Sequence, residues 1–289
     1  MILMVTLTIY MILACRIWRA YKKCVVSGCN AIKILAEGKE LEEDIFPSLE
    51  DLRLYDLPRL SNIVEGHVSP RSFANLKFLS LEKRDNLRYI FSWSMIEQLP
   101  KLETLCITNC KNLEDFFEEN ATKIEKVNYE LPSLKFFPLK CLRKIVSIDT
   151  IVELALSSIE EVYTIHCISV KSLPRSLVDA PRLMIITGQR KWWDEELQWE
   201  DYTIKQQLQP LFKVCLDAEL ISFRNIKDRN LGQTKIEICL CFLCLLFFCL
   251  LCLAAENELL HCTVQILRLI NDFFSSRKKT PQILMLDCH

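Results

Sequence analysis

Fifteen cysteines are the residues of this sequence with the clearest capacity for chemistry. Two pairs, Cys241 with Cys244 and Cys249 with Cys252, have the two-residue spacing of zinc ligands. The residues around them are Leu and Phe, with no His and no turn-forming residue nearby, so apolar packing explains the spacing better than a zinc site does. The odd number of cysteines and the lack of a small Cys-spaced module favour reduced thiols in the cytosol.

Phosphate-binding and catalytic constellations are also missing from the sequence. Only five residues are glycine, and neither the G-x-x-x-x-G-K-[ST] nor the G-x-G-x-x-G motif occurs. The four histidines are scattered, and they assemble into no metal-binding or Cys–His set. The formal net charge of −1 shows no basic excess that would attract nucleic acid. We therefore expect a protein that is not an enzyme, with no cofactor, no metal, no nucleic-acid partner and no small-molecule substrate.

The elements that position any binding residues come from a repeated pattern that begins at Phe46. Copies of the form L-x-x-L-x-L recur every 24 to 32 residues, and an insertion around residues 118–126 accounts for the longest interval. The spacing and the period are those of a leucine-rich repeat. The first apolar residues of the copies are Leu49, Leu76, Leu102, Leu134, Ile159 and Leu183.

Each L-x-L unit predicts a short strand with two apolar side chains on one face, because side chains alternate between the faces of a strand. One copy cannot bury that face alone, so the copies must stack into a continuous apolar ladder. We expect an α/β leucine-rich-repeat solenoid, with short parallel strands on the concave side and irregular or helical segments on the convex side. The predicted ladder consists of Leu52, Leu54, Leu79, Leu81, Leu105, Ile107, Phe137 and Leu139.

Three segments resemble the repeat region of plant intracellular disease-resistance proteins of the coiled-coil, nucleotide-binding leucine-rich-repeat class. They are the repeat opening at residues 46–54, the next copy at residues 69–89, and the closing segment at residues 192–212, which contains Trp192, Trp193 and Trp199. The nucleotide-binding domain and the amino-terminal coiled coil of that family do not occur in the sequence. The chain therefore resembles a carboxy-terminal fragment or a truncated paralogue of the family.

The resemblance implies a protein-binding module that acts in plant defence, with a pathogen effector or a host protein as its ligand. Two alternatives are a non-signalling, membrane-anchored repeat scaffold and a non-functional gene fragment. The outward strand positions mix aromatic residues with both signs of charge, which suits protein binding, although a merely solvated face is the alternative. The candidate binding residues are Asp51, Arg53, Tyr55, Phe78, Ser80, Glu82, Thr104, Thr108 and Tyr163.

The remaining segments divide by composition. Residues 1–23 form an apolar amino-terminal segment that is a candidate weak anchor, and residues 24–45 fit a linker or a degenerate repeat. Residues 46–212 are the predicted repeat domain with its carboxy-terminal cap, followed by a linker at residues 213–237. Residues 238–255 contain no charge, Pro or Gly and are predicted to form an apolar transmembrane helix, and residues 256–289 form a tail.

Lys and Arg residues flank both apolar runs on the side of the repeats. Because such residues stay on the cytoplasmic side of a span, we expect a cytoplasmic repeat domain, with the tail beyond Glu256 across the membrane. If neither run crosses a membrane, the chain is predicted to be a soluble cytoplasmic protein.

Overall fold

The computed structural model describes residues 22–28, 32–37, 46–66, 71–117, 130–215 and 283–287, together with Asp44 and Ser69. The described strands are β1 (Lys23–Ser27), β2 (Ile34–Glu37), β3 (Asp51–Tyr55), β4 (Asn62–Glu65), β5 (Phe78–Glu82), β6 (Thr104–Thr108), β7 (Phe136–Lys140), β8 (Glu161–Ile165), β9 (Ile185–Gly188), β10 (Phe212–Val214) and β11 (Ile283–Asp287). The described α-helices are α1 (Trp93–Ile96), α2 (Asp149–Leu154) and α3 (Tyr202–Leu208), and other helical turns are Arg175–Asp179, Trp192–Glu196 and Gln209–Leu211.

Nine of these strands form one parallel sheet, in the order β10-β9-β8-β7-β6-β5-β3-β1-β11. From β3 to β9, each strand of the sheet comes from one copy of the sequence repeat and lies beside the strand of the next copy. The pairing aligns equivalent positions, so that Leu52 lies opposite Leu79 and Leu79 opposite Leu105. A second, two-stranded sheet pairs β2 with β4, also in parallel. The prediction of short parallel strands stacked by the repeat period is confirmed.

The apolar ladder predicted from the L-x-L units forms the core of this stack. All eight of its members have 0% of their surface exposed, and they belong to one continuous buried cluster. Complete burial of a Leu or Ile side chain stabilises the fold by about 1.5–3 kcal/mol relative to an exposed one. Since no single copy could bury both of its ladder residues, the stacking itself supplies this free energy.

The residue that follows most of the repeat strands has a left-handed backbone conformation. Asp56, Lys83 and Asn109 have φ values of 48°, 56° and 56°, and Gly28 has the same role after β1 with a φ of 66°. Their N–H groups donate to the carbonyl of the last residue of the next strand, as from Lys83 to Thr108 at 3.0 Å. Each turn is therefore attached to the following repeat, although only glycine adopts this conformation without steric cost.

The stack begins before Phe46. The sequence analysis allowed residues 24–45 to be either a linker or a degenerate repeat. Strand β1, at the start of this segment, pairs in parallel with β3 over the whole length of both strands. Cys24 and Val26 lie opposite Leu52 and Leu54 and are buried like them. Strand β1 therefore has smaller side chains in the ladder positions, as a degenerate repeat would.

The tail returns to the repeat stack. Strand β11 pairs in parallel with β1, with Ile283 opposite Lys23. A strand that shares a sheet with β1 lies on the same side of any membrane as the repeats, so the predicted position of the tail across a membrane is wrong. The predicted helix over residues 238–255 and most of the apolar segment 1–23 lie outside the described residues. Within the described ranges, no helix has both the length and the apolar character needed for a membrane span.

Tryptophans cover the other end of the ladder. Trp192 is 3% and Trp193 0% exposed, and the Trp193 ring stacks on Phe212 with the ring centroids 4.1 Å apart. The indole N–H of Trp192 donates to the carbonyl of Val170 at 2.8 Å. Gly188 permits this close packing, since a Cβ atom there would lie 2.6 Å from the Trp192 ring. A terminal repeat needs such a cover to exclude water from its apolar face.

Candidate protein-binding face

The outward side chains of the repeat strands form three columns, because the register places equivalent positions side by side. We call these three columns the outward face. The first column is Asp51, Phe78, Thr104, Phe136 and Glu161; the second is Arg53, Ser80, Cys106, Pro138 and Tyr163; and the third is Tyr55, Glu82, Thr108, Lys140 and Ile165.

All nine candidate binding residues lie on this face, but their exposure differs. Two residues of the second column are buried, Arg53 with 4% and Ser80 with 1% of its surface exposed, so the expectation that they present an accessible surface is wrong. The other three residues of the second column, Cys106, Pro138 and Tyr163, are half-buried. The half-buried candidates are Asp51, Tyr55, Phe78, Glu82, Thr104, Thr108 and Tyr163.

Arg53 is buried because its side chain folds onto its own strand and the next one. Its Nε and Nη2 atoms donate to the two carboxylate oxygens of Asp51 at 2.8 and 3.0 Å, and its guanidinium carbon lies 4.6 Å from the centroid of the Phe78 ring. Burial alone would lower the pKa of Arg53, but the hydrogen bonds to Asp51 raise it above the ordinary value. The three side chains form a rigid unit whose charges largely cancel.

A second internal pair lies at the other end of the face. The hydroxyl of Tyr163 donates to the carboxylate of Glu161, two residues earlier on the same strand. Both ends of the outward face therefore present side chains that are already held by a neighbour. Ordered groups of this kind lose little conformational entropy when a partner binds.

The centre of the face has a different character. Strand β6 presents three small side chains, Thr104, Cys106 and Thr108, between the larger residues of β5 and β7. Because the residues that flank this row at both of its ends are larger, we call the row the floor of a central trough. Its walls are Phe78 and Glu82 on β5 and Phe136 and Lys140 on β7.

Lys140 is the one wall residue with an unsatisfied charge. Its side chain is half-buried, and within the described part of the chain its ammonium group has no hydrogen bond or ion pair. In contrast, Lys22 and Lys77, which lie before strands of the sheet, form ion pairs with Glu50 at 2.9 and 3.0 Å. The sequence analysis did not select Lys140, because its lack of an acidic neighbour depends on the register.

A column of alternating charges precedes the strands, and the sequence analysis did not detect it. Each of its residues donates its N–H to the carbonyl of the residue before it in the column, as Lys77 does to Glu50 at 2.9 Å. Hydrogen bonds from Lys22 and Lys77 lower the pKa of Glu50 to about 2. In the sequence, the alternation occurs at the residue that directly follows the first apolar residue of each aligned copy. The column consists of Lys22, Glu50, Lys77, Glu103, Lys135 and Glu160.

The interior contains one residue that breaks the pattern of the repeats. Arg84 occupies the position that Cys110 has in the next copy, and both side chains have 0% of their surface exposed. Among the residues that the structure describes, none provides a hydrogen-bond partner for the three guanidinium nitrogens of Arg84. Burial lowers the pKa of Arg84 to about 10 and raises the pKa of Cys110 to about 12. Cys110 is therefore a protonated packing residue, whereas Arg84 is a buried and uncompensated polar group.

Comparison with known proteins agrees with the repeat fold described above. A family model for the leucine-rich repeats of plant disease resistance proteins similar to RPS2 matches residues 16–111 and 48–180, which together are more than half of the chain. The chain belongs to this family of plant disease-resistance leucine-rich repeats. No solved structure matches it significantly.

Two curated relatives come from Arabidopsis thaliana. Disease resistance protein At4g27190 is 28% identical over 180 residues, which are 62% of this chain and 17% of the relative. Probable disease resistance protein At4g27220 is 30% identical over 172 residues, which are 57% of this chain and 17% of the relative. The chain thus aligns with about one sixth of the length of either relative.

Proposed function

We propose that this chain is a recognition module in plant disease resistance that binds a protein through its outward face. Its ligand would be a pathogen effector or a host protein. The observation that carries the proposal is the contrast between the two sides of the same strands. The inward positions are apolar in nearly every copy, whereas the outward positions change from copy to copy and combine aromatic, charged and small side chains.

The chemistry of the outward face fits a protein better than other partners. It carries the acidic residues Asp51, Glu82 and Glu161 beside the basic residues Arg53 and Lys140. A nucleic-acid site would need an excess of basic groups, which this face lacks. Aromatic anchors that are already ordered, such as Phe78 under Arg53, are typical of protein interfaces.

The expected compartment is the cytoplasm. None of the six cysteines in the described part of the chain forms a disulfide bond, and Cys110 and Cys167 are buried among apolar side chains. Burial raises the pKa of Cys167 to about 12, so this thiol is protonated and inert at neutral pH. Thiols that persist in this way are typical of a reducing compartment.

The test is a binding experiment in which the centre of the outward face is blocked. Full-length chain is immobilised and exposed to extracts of healthy and infected plant tissue, and retained proteins are quantified by mass spectrometry. The variant Thr104→Arg/Thr108→Arg places two long cations in the central trough. The matched control, Asn86→Arg/Ser157→Arg, adds the same charge at two exposed positions outside the outward face.

A specific partner should be retained by the wild type and by the control, and at least tenfold less by the trough variant. Thermal unfolding of all three chains establishes that the variants are folded. Equal retention by the wild type and the trough variant would show that the outward face is not the binding surface.

A further inference from the structure

We propose that the central trough receives a partner segment in which a bulky apolar side chain is accompanied by a carboxylate. The inference rests on the proposed function and adds the chemistry of the partner. The carboxylate pairs with Lys140, and the apolar side chain enters the trough above Thr104 and Cys106, between the two phenylalanines of the walls.

The charge argument starts from the missing counterion of Lys140. Several basic side chains elsewhere on the stack have acidic partners in an adjacent repeat, as Arg88 and Lys144 have in Glu114 at 2.7 and 3.1 Å. Lys140 has none in the described part of the chain, and its side chain is half-buried. A carboxylate brought by a partner would supply the counterion that Lys140 lacks there.

Glu82 determines on which side of the trough the carboxylate binds. It lies in the same column as Lys140, with Thr108 between them, so the two charged positions are two strand spacings or about 10 Å apart. A carboxylate above the floor is attracted toward β7 and repelled from β5. The trough therefore distinguishes an acidic partner from a basic one and also orients it.

The apolar argument concerns the opposite end of the trough. Phe78 and Phe136 lie on either side of Thr104, again about 10 Å apart between their backbones. Phe78 is held in place by the Arg53 guanidinium. The space above a threonine and a cysteine, between two rings, suits a Leu, Met or Phe side chain, which would be desolvated on three sides.

The two requirements set the spacing in the partner. Thr104 and Thr108 are four residues apart on β6, which corresponds to about 13 Å along the strand. Side chains of an extended segment share one face when they are two or four residues apart. We therefore expect the apolar residue and the Asp or Glu of the partner to be separated by two or four positions.

Selection from a library of random twelve-residue peptides displayed on phage tests this chemistry on the full-length chain. The enriched peptides should combine a bulky apolar residue with Asp or Glu at the stated separation. A synthetic peptide from this set should bind Lys140→Glu at least tenfold more weakly than the wild type. Replacing the carboxylate residue of the peptide by Lys should restore binding to Lys140→Glu. Arg59→Glu makes the same change of net charge at an exposed residue and should leave the Kd within twofold.

Thr104→Phe provides a test without a change in charge, since it fills the apolar end of the trough in a strand where Phe is well tolerated. This substitution should also weaken binding of the synthetic peptide at least tenfold. Enriched peptides that lack the acidic residue, or that bind Lys140→Glu as well as the wild type, would overturn the inference.

The two proposals can fail separately. If extract proteins are retained by the wild type and lost with Thr104→Arg/Thr108→Arg, but remain bound to Lys140→Glu, then the outward face binds protein and the carboxylate inference is wrong. If no peptide is enriched, the inference is also overturned. If in addition no extract protein depends on the face, the proposed function fails as well.

Discussion

The two sides of the repeat strands obey opposite rules. On the inward side, Leu54, Leu81 and Ile107 occupy equivalent places in three successive repeats and are all completely buried. On the outward side, the neighbouring places hold Arg53, Ser80 and Cys106, which differ in size, charge and exposure. The inward side must match from copy to copy because each residue packs on its equivalents. The outward side has no such constraint, and it can be adapted to a partner without loss of the fold.

The largest effect is expected where the inward rule is broken. Leu81→Ala removes a completely buried side chain between Leu54 and Ile107, and it should lower the free energy of unfolding by about 2–5 kcal/mol in a urea titration. The matched outward substitution Thr108→Ala should change it by less than about 0.5 kcal/mol. Similar losses in the two variants would mean that the two sides of the strands are not energetically distinct.

A gain of stability is expected when Arg84, a buried polar residue at a place that Cys110 holds in the next repeat, is replaced. Arg84→Cys reproduces the residue that the next repeat has at this place and removes three buried nitrogens without partners. An unsatisfied buried polar group costs about 1–3 kcal/mol, so the free energy of unfolding should increase by that amount. Arg59→Cys, at an exposed position, is the control. A loss of stability in Arg84→Cys would show that the guanidinium has a structural role.

The turns allow a smaller gain. Lys83→Gly relieves the steric cost of a left-handed residue with a φ of 56°, and we expect a stabilisation of up to about 1 kcal/mol by thermal unfolding. Lys101→Gly is the control. Lys101 does not have a left-handed backbone conformation, so its replacement should not stabilise the fold. Equal changes in the two variants would argue that the left-handed turn carries no strain.

The smallest effect concerns the charged column. Glu50→Gln removes two exposed ion pairs, and it should lower the free energy of unfolding by about 0.2–1 kcal/mol near neutral pH. The pKa of Glu50 is about 2 in the fold, against 4.5 for an ordinary glutamate, so its contribution is complete above pH 4.5 and is lost as the pH falls toward 2.

Unfolding measured at several pH values should therefore show the wild type and Glu50→Gln converging in acid. Glu195→Gln, at an exposed position, should show no such convergence. A difference between the wild type and Glu50→Gln that is independent of pH would contradict the ion-pair explanation.

The period and the inward ladder could be predicted from the sequence because they depend on residue types at fixed intervals. The sequence left a linker and a degenerate repeat as alternatives for residues 24–45, since Cys24 and Val26 replace the leucines of the ladder and weaken the pattern. The burial of Arg53 and the isolation of Lys140 depend on side chains from adjacent repeats, more than twenty residues away. Pairing of β11 with β1 joins strands at opposite ends of the chain, and no local pattern indicates it.

Because Lys and Glu alternate in the column before the strands, its charge pattern recurs every two repeats of the stack. Repeat arrays change in length when one unit is duplicated or deleted, and the apolar ladder accepts either event because all of its members are alike. The charged column disfavours it, since removal of the repeat that carries Lys77 would bring Glu50 beside Glu103, and duplication of that repeat would bring two lysines together. Units gained or lost in pairs keep every Lys between two Glu residues. Lineages of this array should therefore favour changes of two repeats at a time.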